Sequence, residues 1–122
     1  TLEKIPLHNI SSSMIPCSTI DQFVKNNHLH TIDFIKIDVE GSEYRVLKGG
    51  GNSIEKFHPI IQYEYSTTID KLTNSNNTYD SFNLLDNMKY EQYVIQDEKK
   101  LVRLKNFDST LNDCNILAIY KS

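Results

Sequence analysis

The pattern of apolar and polar positions changes period within residues 34 to 50, FIKIDVEGSEYRVLKGG. Ile32 to Val39 is an almost continuous apolar run, interrupted by Asp33, Lys36 and Asp38. Such a run predicts a strand that is covered on both faces in a parallel sheet. Because Lys36 lies inside this strand, we expect its ammonium group to pair with a neighbouring acid.

Helical spacing appears on both sides of this strand. Ser18 or Thr19 is predicted to cap a first helix that ends near Asn27, and Ser42 is predicted to cap a second. The glycine run 49 to 51 follows the second helix, where glycine commonly supplies a left-handed stop. We therefore assign these glycines to helix termination and not to ligand binding.

A second strand follows this helix and completes a βαβ unit. Pro59 opens the run IIQYEYS, residues 60 to 66, and proline is tolerated at the first position of a strand. A βαβ crossover is right-handed and places the carboxyl ends of both strands at the same edge of the sheet. Asp38 and Glu64 are therefore expected to share one rim of the sheet.

The part of the chain from residue 70 onward predicts one helix and three strands. Residues 70 to 78, DKLTNSNNT, are predicted to be a polar loop, with Thr78 as the cap of the following helix. The apolar positions of that helix are Tyr79, Phe82, Leu85 and Met88. YEQYVIQ, LVRL and NILAIYK are the strand candidates, and at least two of them are expected to be antiparallel.

Composition narrows the class of protein. A length of 122 residues fits one domain, and a net charge of -3 with interspersed signs indicates neither nucleic acid nor anionic lipid as a partner. No stretch is long and apolar enough to span a bilayer, and no secretory leader opens the chain, so the expected location is cytoplasmic. Cys17 and Cys114 are too few for a disulfide framework, and we expect two free thiols.

The candidate chemistry lies in three acids, Asp38, Glu40 and Glu64. In open α/β sheets, ligands bind beyond the carboxyl ends of the strands, which is where these side chains are expected. The simpler interpretation is that Asp38 and Glu40 only stabilise the positive end of the helix that starts near Ser42.

Other chemistries fit the residues less well. A phosphoryl-transfer enzyme with Asp38 as nucleophile lacks the D-x-D-x-T pattern, and a D…E-x-K nuclease lacks a lysine two residues after Glu64. His28 and His30 alternate as a metal pair would, but no third ligand has the expected spacing.

Four segments together resemble one family. STIDQF, IDFIKIDVEGSEYRVLKGG, HPIIQYE and NILAIY are similar, in this order, to the C-terminal half of the FkbM methyltransferases, over residues 17 to 120. The resemblance implies an α/β fold, the Rossmann-like sheet of class I S-adenosylmethionine-dependent methyltransferases. Its fourth strand would be residues 34 to 38 and its fifth residues 60 to 64. The remaining strands would form an antiparallel edge.

The resemblance also implies roles for the acids. Asp38 would face the transferred methyl group of S-adenosylmethionine or orient the acceptor, and Glu40 or Glu64 would be the general base or a second anchor. A variant adds magnesium between Asp38 and Glu64. The family suggests O-methylation of a sugar, lipid or secondary-metabolite hydroxyl, so the expected partner is a small-molecule or glycan acceptor.

The chain departs from the family pattern in one large and one small respect. The glycine-rich loop and the acid that holds the cofactor ribose should lie upstream of Thr1, and KGGGNS cannot replace that loop because its glycines close a helix. Residues 1 to 122 are thus expected to lack the cofactor-binding half and to be a poor enzyme alone. The smaller departure is Lys89, which stands where the family commonly has glycine.

The alternative is a non-catalytic module that binds a partner through the open sheet edge. The partner would be a second copy of the chain or an upstream segment, because unpaired strand edges readily add a strand.

Overall fold

A computed structural model describes residues 18–122, which form one five-stranded sheet with helices packed on one of its faces. The strands are β1 (Phe34–Ile37), β2 (Ile60–Tyr65), β3 (Tyr90–Asp97), β4 (Lys100–Arg103) and β5 (Cys114–Tyr120). The described helices are α1 (Ile20–Asn26), α2 (Glu43–Lys48), α3 (Gly51–Phe57), α4 (Thr67–Thr73) and α5 (Asn77–Asn87). The three closing strands predicted from the sequence are therefore confirmed.

The strand order is β1-β2-β5-β3-β4. Only β1 and β2 pair in parallel, whereas β5 is antiparallel to both β2 and β3, and β4 is antiparallel to β3. Because β5 runs opposite to β2 and β3 runs opposite to β5, β3 points in the same direction as β1 and β2. The fold is a mixed α/β sheet, and the expected parallel sheet is reduced to one pair because β5 lies between β2 and β3.

Alternate residues of the strands divide the sheet into two faces. The registers of β2, β5 and β3 place Ile61, Ala118 and Gln92 in one row and Tyr63 and Ile116 in the next. The core combines this face with helix side chains. Its buried members are Ile37, Leu47, Ile54, Ile61, Tyr63, Tyr65, Phe82, Leu85, Tyr90, Ile116 and Ala118. We call this the covered face, and we call the opposite side of the sheet the open face.

Strand β1 is less covered than the sequence predicts. Within residues 18–122 it pairs only with β2, and Phe34 on the open face is 50% exposed. Lys36 on the same face is exposed and makes no ion pair with any described residue, so the prediction of a paired lysine is wrong for residues 18–122. Within the described part of the chain, burial on both faces is also wrong, because the described helices cover one face.

The predicted helix caps hold in one case and fail in another. Thr19 caps α1, since its Oγ1 accepts from Gln22 N at 3.1 Å and the Gln22 side chain accepts from Thr19 N. Ser42 occupies the cap position of α2 but makes no side-chain cap hydrogen bond. The side chain of Asn77 caps the helix instead, since its Oδ1 accepts from Tyr44 N at 2.9 Å.

The glycine run has a different role from the predicted one. Gly49 and Gly50 have φ values of -69° and -111°, so neither is a left-handed stop. Gly51 is the first residue of α3, so the run opens one helix as well as closing another. A Cβ on Gly49 would lie 3.0 Å from Thr19, and one on Gly50 would lie 2.9 Å from Ile20. These two positions lack side chains because α1 packs closely against them.

The predicted loop 70 to 78 is mostly wrong. Helix α4 begins after Ser66, whose Oγ accepts from Ile69 N at 3.0 Å, and it ends at Asn74 in the left-handed conformation. Thr78 is not a cap but lies inside α5. The polar residues here belong to the end of α4 and the start of α5, where Thr78 makes buried hydrogen bonds, and composition alone does not distinguish this arrangement from a loop.

Candidate functional site

The ends of β1 and β2 bring the predicted acids to one rim of the sheet. Ile37 pairs with Tyr63, so Asp38 and Glu64 occupy the next matched position of the two strands. Both continue the open face, because a strand alternates its side chains between the two faces. Glu40 follows in the turn after β1.

The rim is strongly acidic. Partial burial is the largest cause of the raised pKa of the Glu64 carboxyl. Neighbouring carboxylates raise that pKa further, in decreasing order Glu43, Glu40, Asp113 and Asp38. A carboxylate with a raised pKa holds a proton more readily, as a general base must. The structure thus brings together all three acids singled out in the sequence and adds Glu43 and Asp113.

The side chains of Asp38 and Glu40 lie at the surface of the rim. Both side chains are exposed, and neither hydrogen-bonds to any residue from 18 to 122. At the start of α2 the Tyr44 N–H donates to Asn77 Oδ1, and neither Asp38 nor Glu40 caps the helix directly. Glu40 has a φ of 25° and Gly41 a φ of 89°, so the turn that presents the acids has an unusual backbone.

Glu43 lies beneath this turn and is 1% exposed. Its Oε1 accepts from Gly41 N at 3.0 Å and from Asn77 Nδ2 at 2.7 Å. Its Oε2 has no hydrogen-bond partner among the described residues. Asn77 Oδ1 in turn accepts from Tyr44 N at 2.9 Å, which connects the start of α2 to the start of α5.

Sequence reasoning missed Glu43, Asn77 and Asp113. Glu43 lies in the KIDVEGSE motif, and Asp113 directly precedes a predicted strand, so their positions were visible although no role followed. Asn77 carried no signal, because its partner Glu43 is 34 residues away in the chain.

A polar cleft of about 210 Å³ adjoins the turn. Its lining residues are Gly41, Ser42, Tyr44, Arg45, Ser75, Asn76, Asn77 and Asp80. A larger cleft of about 480 Å³ lies between α1 and α3 and contains His28 and His30. The lining residues of that cleft come before β1 and β2 in the chain, at the amino ends of these strands. The cleft is therefore not part of the acidic rim, which lies at their carboxyl ends.

The donor arrangement does not favour a metal. Among residues 18–122, no group of three or more His, Cys, Asp or Glu side chains could hold a metal ion. The magnesium variant between Asp38 and Glu64 therefore gains no support, and the same holds for His28 with His30.

The tyrosines of β2 belong to the core. Tyr63 donates to Gln92 Oε1 at 2.6 Å, and Tyr65 both donates to Asp108 O at 2.7 Å and accepts from Asp108 N at 2.9 Å. Burial raises the pKa of Tyr65 to about 12. Cys114 is a free, half-buried thiol whose pKa burial raises to about 11, whereas Cys17 lies outside the described residues.

Comparison with known proteins places these residues in a family. None of the described helices has the length and apolar character that crossing a membrane requires. No curated protein and no solved structure matches the chain. The family model described as the methyltransferase FkbM domain matches residues 7–110, which is most of the sequence. The chain belongs to the FkbM methyltransferase family.

Proposed function

We propose that residues 1–122 carry the acceptor side of an S-adenosylmethionine-dependent methyltransferase site. The reaction is O-methylation of a hydroxyl on a small-molecule or glycan acceptor, such as a sugar, lipid or secondary metabolite. The observation that carries the proposal is the meeting of Asp38, Glu40 and Glu64 at one rim, in a chain of this family. A cytoplasmic location is also proposed, with support from the sequence alone.

The architecture supports this proposal. Strands β1 and β2 would be the fourth and fifth strands of a class I Rossmann-like sheet. Strand β5 lies between β2 and β3 and is antiparallel to both. This agrees with the expected sheet, in which an antiparallel edge lies beside the fifth strand. Ligands of such sheets bind at the carboxyl ends of parallel strands, where Asp38 and Glu64 lie.

The cofactor would contribute a methyl group on a positively charged sulfonium sulfur. Asp38 and Glu40 suit the side of the site that faces this positive charge, because both are exposed carboxylates at the strand ends. Among residues 18–122, no glycine-rich turn follows a strand and opens a helix, so these residues fit the methyl and acceptor side only.

The chain's own residues have two tasks. Asp38 orients the acceptor hydroxyl through a hydrogen bond, which converts an encounter of reactants into an aligned pair. Glu64 accepts the hydroxyl proton, and its raised pKa suits it for this step. Glu40 is then the second anchor at the mouth of the site.

Substitution of Asp38 tests this assignment. In an active form that includes residues 1–122, Asp38→Asn should lower turnover by about 10²-fold or more, because a misplaced acceptor hydroxyl loses its alignment with the methyl group. Asp33→Asn is the control, because Asp33 is an exposed acid at the opposite end of β1. Transfer of a radiolabelled methyl group measures both variants, and retained turnover in Asp38→Asn would refute the role.

Calorimetry tests the division of the site. Titration of S-adenosylmethionine into residues 1–122 should release little heat, because the adenosine-binding residues are expected elsewhere. Tight binding by these residues would contradict the proposal that they form only the acceptor side.

A second candidate function is binding of another copy through the free edge of β1. Its support is the unpaired edge within residues 18–122 and the half-exposed Phe34 on the open face. Phe34→Lys should weaken self-association measured by sedimentation, whereas Phe23→Lys, at a 56% exposed site on α1, should not. A wild-type chain that stays monomeric at about 100 µM, a concentration at which weak edge contacts should populate, would exclude this candidate.

A further inference from the structure

The turn that presents the acids has a backbone that needs support. Glu40 has a φ of 25°, which is uncommon for a residue other than glycine, and Gly41 follows at 89°. A Cβ on Gly41 would lie 3.3 Å from the Ile69 side chain, so α4 packs directly against the turn. Residues in such conformations persist only when their surroundings hold them, and they cluster at functional sites.

Glu43 provides a direct hold on this turn. Its Oε1 accepts the Gly41 N–H at 3.0 Å and also accepts from Asn77 Nδ2 at 2.7 Å. A charged acceptor strengthens such hydrogen bonds. Both side chains are buried, at 1% and 8% exposure, so water competes little for these contacts.

The start of α5 holds both strand ends. Asn77 reaches the turn after β1 through Glu43, and Thr78 Oγ1 donates to the carbonyl of Ser66 directly after β2, at 3.0 Å. The Thr78 N–H is in turn bound by both oxygens of Asp70. One helical turn thus sets the distance between the two strand ends that carry the candidate acids.

A purely structural contact would not require a carboxyl group at position 43. A glutamine would offer Gly41 and Asn77 the same oxygen acceptor. Glu43 instead keeps a buried Oε2 without a partner among the described residues, which is unfavourable for folding. Of the neighbouring carboxylates, that of Glu43 also acts most strongly on Glu64.

We propose that Glu43 and Asn77 are positioning residues, which hold the turn 38–41 so that Asp38 and Glu40 face Glu64 across the mouth of the site. Their effect on catalysis rests on the proposed methyltransferase function. Their effect on the turn does not, so the two can fail separately.

The first test measures the turn without cofactor or acceptor. Asn77→Ala should speed hydrogen exchange of the Gly41 amide by about tenfold or more relative to the Ile61 amide, because Glu43 Oε1 loses the Asn77 donor that fixes it beside the Gly41 N–H. Glu43→Gln should largely preserve the protection, since glutamine keeps the acceptor oxygen. Ser81→Ala is the control, because Ser81 Oγ donates to the Asn77 carbonyl at 2.7 Å in the same helix but does not reach the turn.

A second readout follows the charges. In Asn77→Ala, Asp38 and Glu40 should move away from Glu64, so the pKa of Glu64 measured by carbon NMR should fall, whereas Ser81→Ala should leave it unchanged. If Asn77→Ala does not fold, Asn77→Ser replaces it in both measurements, because Glu43→Ala would itself remove a carboxylate that raises the pKa of Glu64. If the variant speeds exchange of the Gly41 and Ile61 amides by the same factor, it has only lowered global stability. That result would overturn the proposal.

The third readout concerns catalysis in an active form that includes this chain. Asn77→Ala should lower kcat by about tenfold to a hundredfold with little change in the Michaelis constant for the acceptor, because misplaced groups slow the chemical step. Ser81→Ala should change neither. An unchanged kcat in Asn77→Ala would overturn the positioning role even if the turn is released.

Discussion

The two faces of the sheet are built from the same strands but differ in what they contribute. On β2, Ile61, Tyr63 and Tyr65 point to the covered face and are fully buried, whereas Ile60 on the open face is 38% exposed. The open face ends at the carboxyl rim in Glu64, beside Asp38. Alternation along one strand thus separates residues that stabilise the fold from residues available for chemistry. Substitutions on the two faces should therefore have separable effects on stability and function.

The largest expected effect compares neighbouring isoleucines on the two faces. Ile61→Ala should lower the free energy of unfolding by about 2–5 kcal/mol, because it opens a cavity in a fully buried site. Ile60→Ala removes the same atoms from the open face and should lower it by less than about 1 kcal/mol. Urea denaturation of both variants measures the difference. Equal losses would mean that the open face is also packed in solution.

A smaller effect compares tyrosine hydroxyls on the two faces. Tyr63→Phe leaves Gln92 Oε1 without its donor in the core and should lower the free energy of unfolding by about 1–3 kcal/mol. Tyr93→Phe is the control on the open face, where the hydroxyl donates to Glu91 at 3.0 Å, and it should change stability by less than about 0.5 kcal/mol. A Tyr63→Phe variant as stable as wild type would mean that Gln92 finds another donor.

The strands were predictable from the sequence, and the short helices were less so. Runs rich in Ile, Val and Tyr between polar segments marked all five strand regions, although β1 proved shorter than the run around it. Helix α4 was missed because its cap Ser66 and its terminal Asn74 also suit a loop. Lys89 has a φ of 69°, a left-handed backbone conformation that glycine adopts without strain.

The candidate site was predictable in its strand ends but not in its support. A right-handed crossover sufficed to place Asp38 and Glu64 at one rim. The contact of Glu43 with Asn77 depends on how α5 packs against α2, which no local pattern encodes. The open face was mispredicted for a related reason, because a continuous apolar run does not reveal which of its faces the helices cover.

The smallest expected effect concerns two acids of the open face whose pKa values shift in opposite directions. Burial and neighbouring carboxylates raise the pKa of Glu64, so the folded state binds a proton more tightly than the unfolded state does. Stability is therefore lost as the pH rises above the ordinary value of 4.5. Glu64→Gln removes this loss, so the variant should be more stable than wild type at pH 7.

Glu91 provides the opposite sign on the same face. Hydrogen bonds from Tyr93 and Lys121 lower the pKa of Glu91, and its Oε2 lies 3.4 Å from Arg103. Its ionised form therefore stabilises the fold above pH 4.5, and this contribution is lost as the pH falls toward its lowered pKa. Glu91→Gln should be less stable than wild type at pH 7, and both variants should approach wild type in acid. If both variants were less stable than wild type at pH 7, the rim at Glu64 would be as well solvated as the rest of the open face.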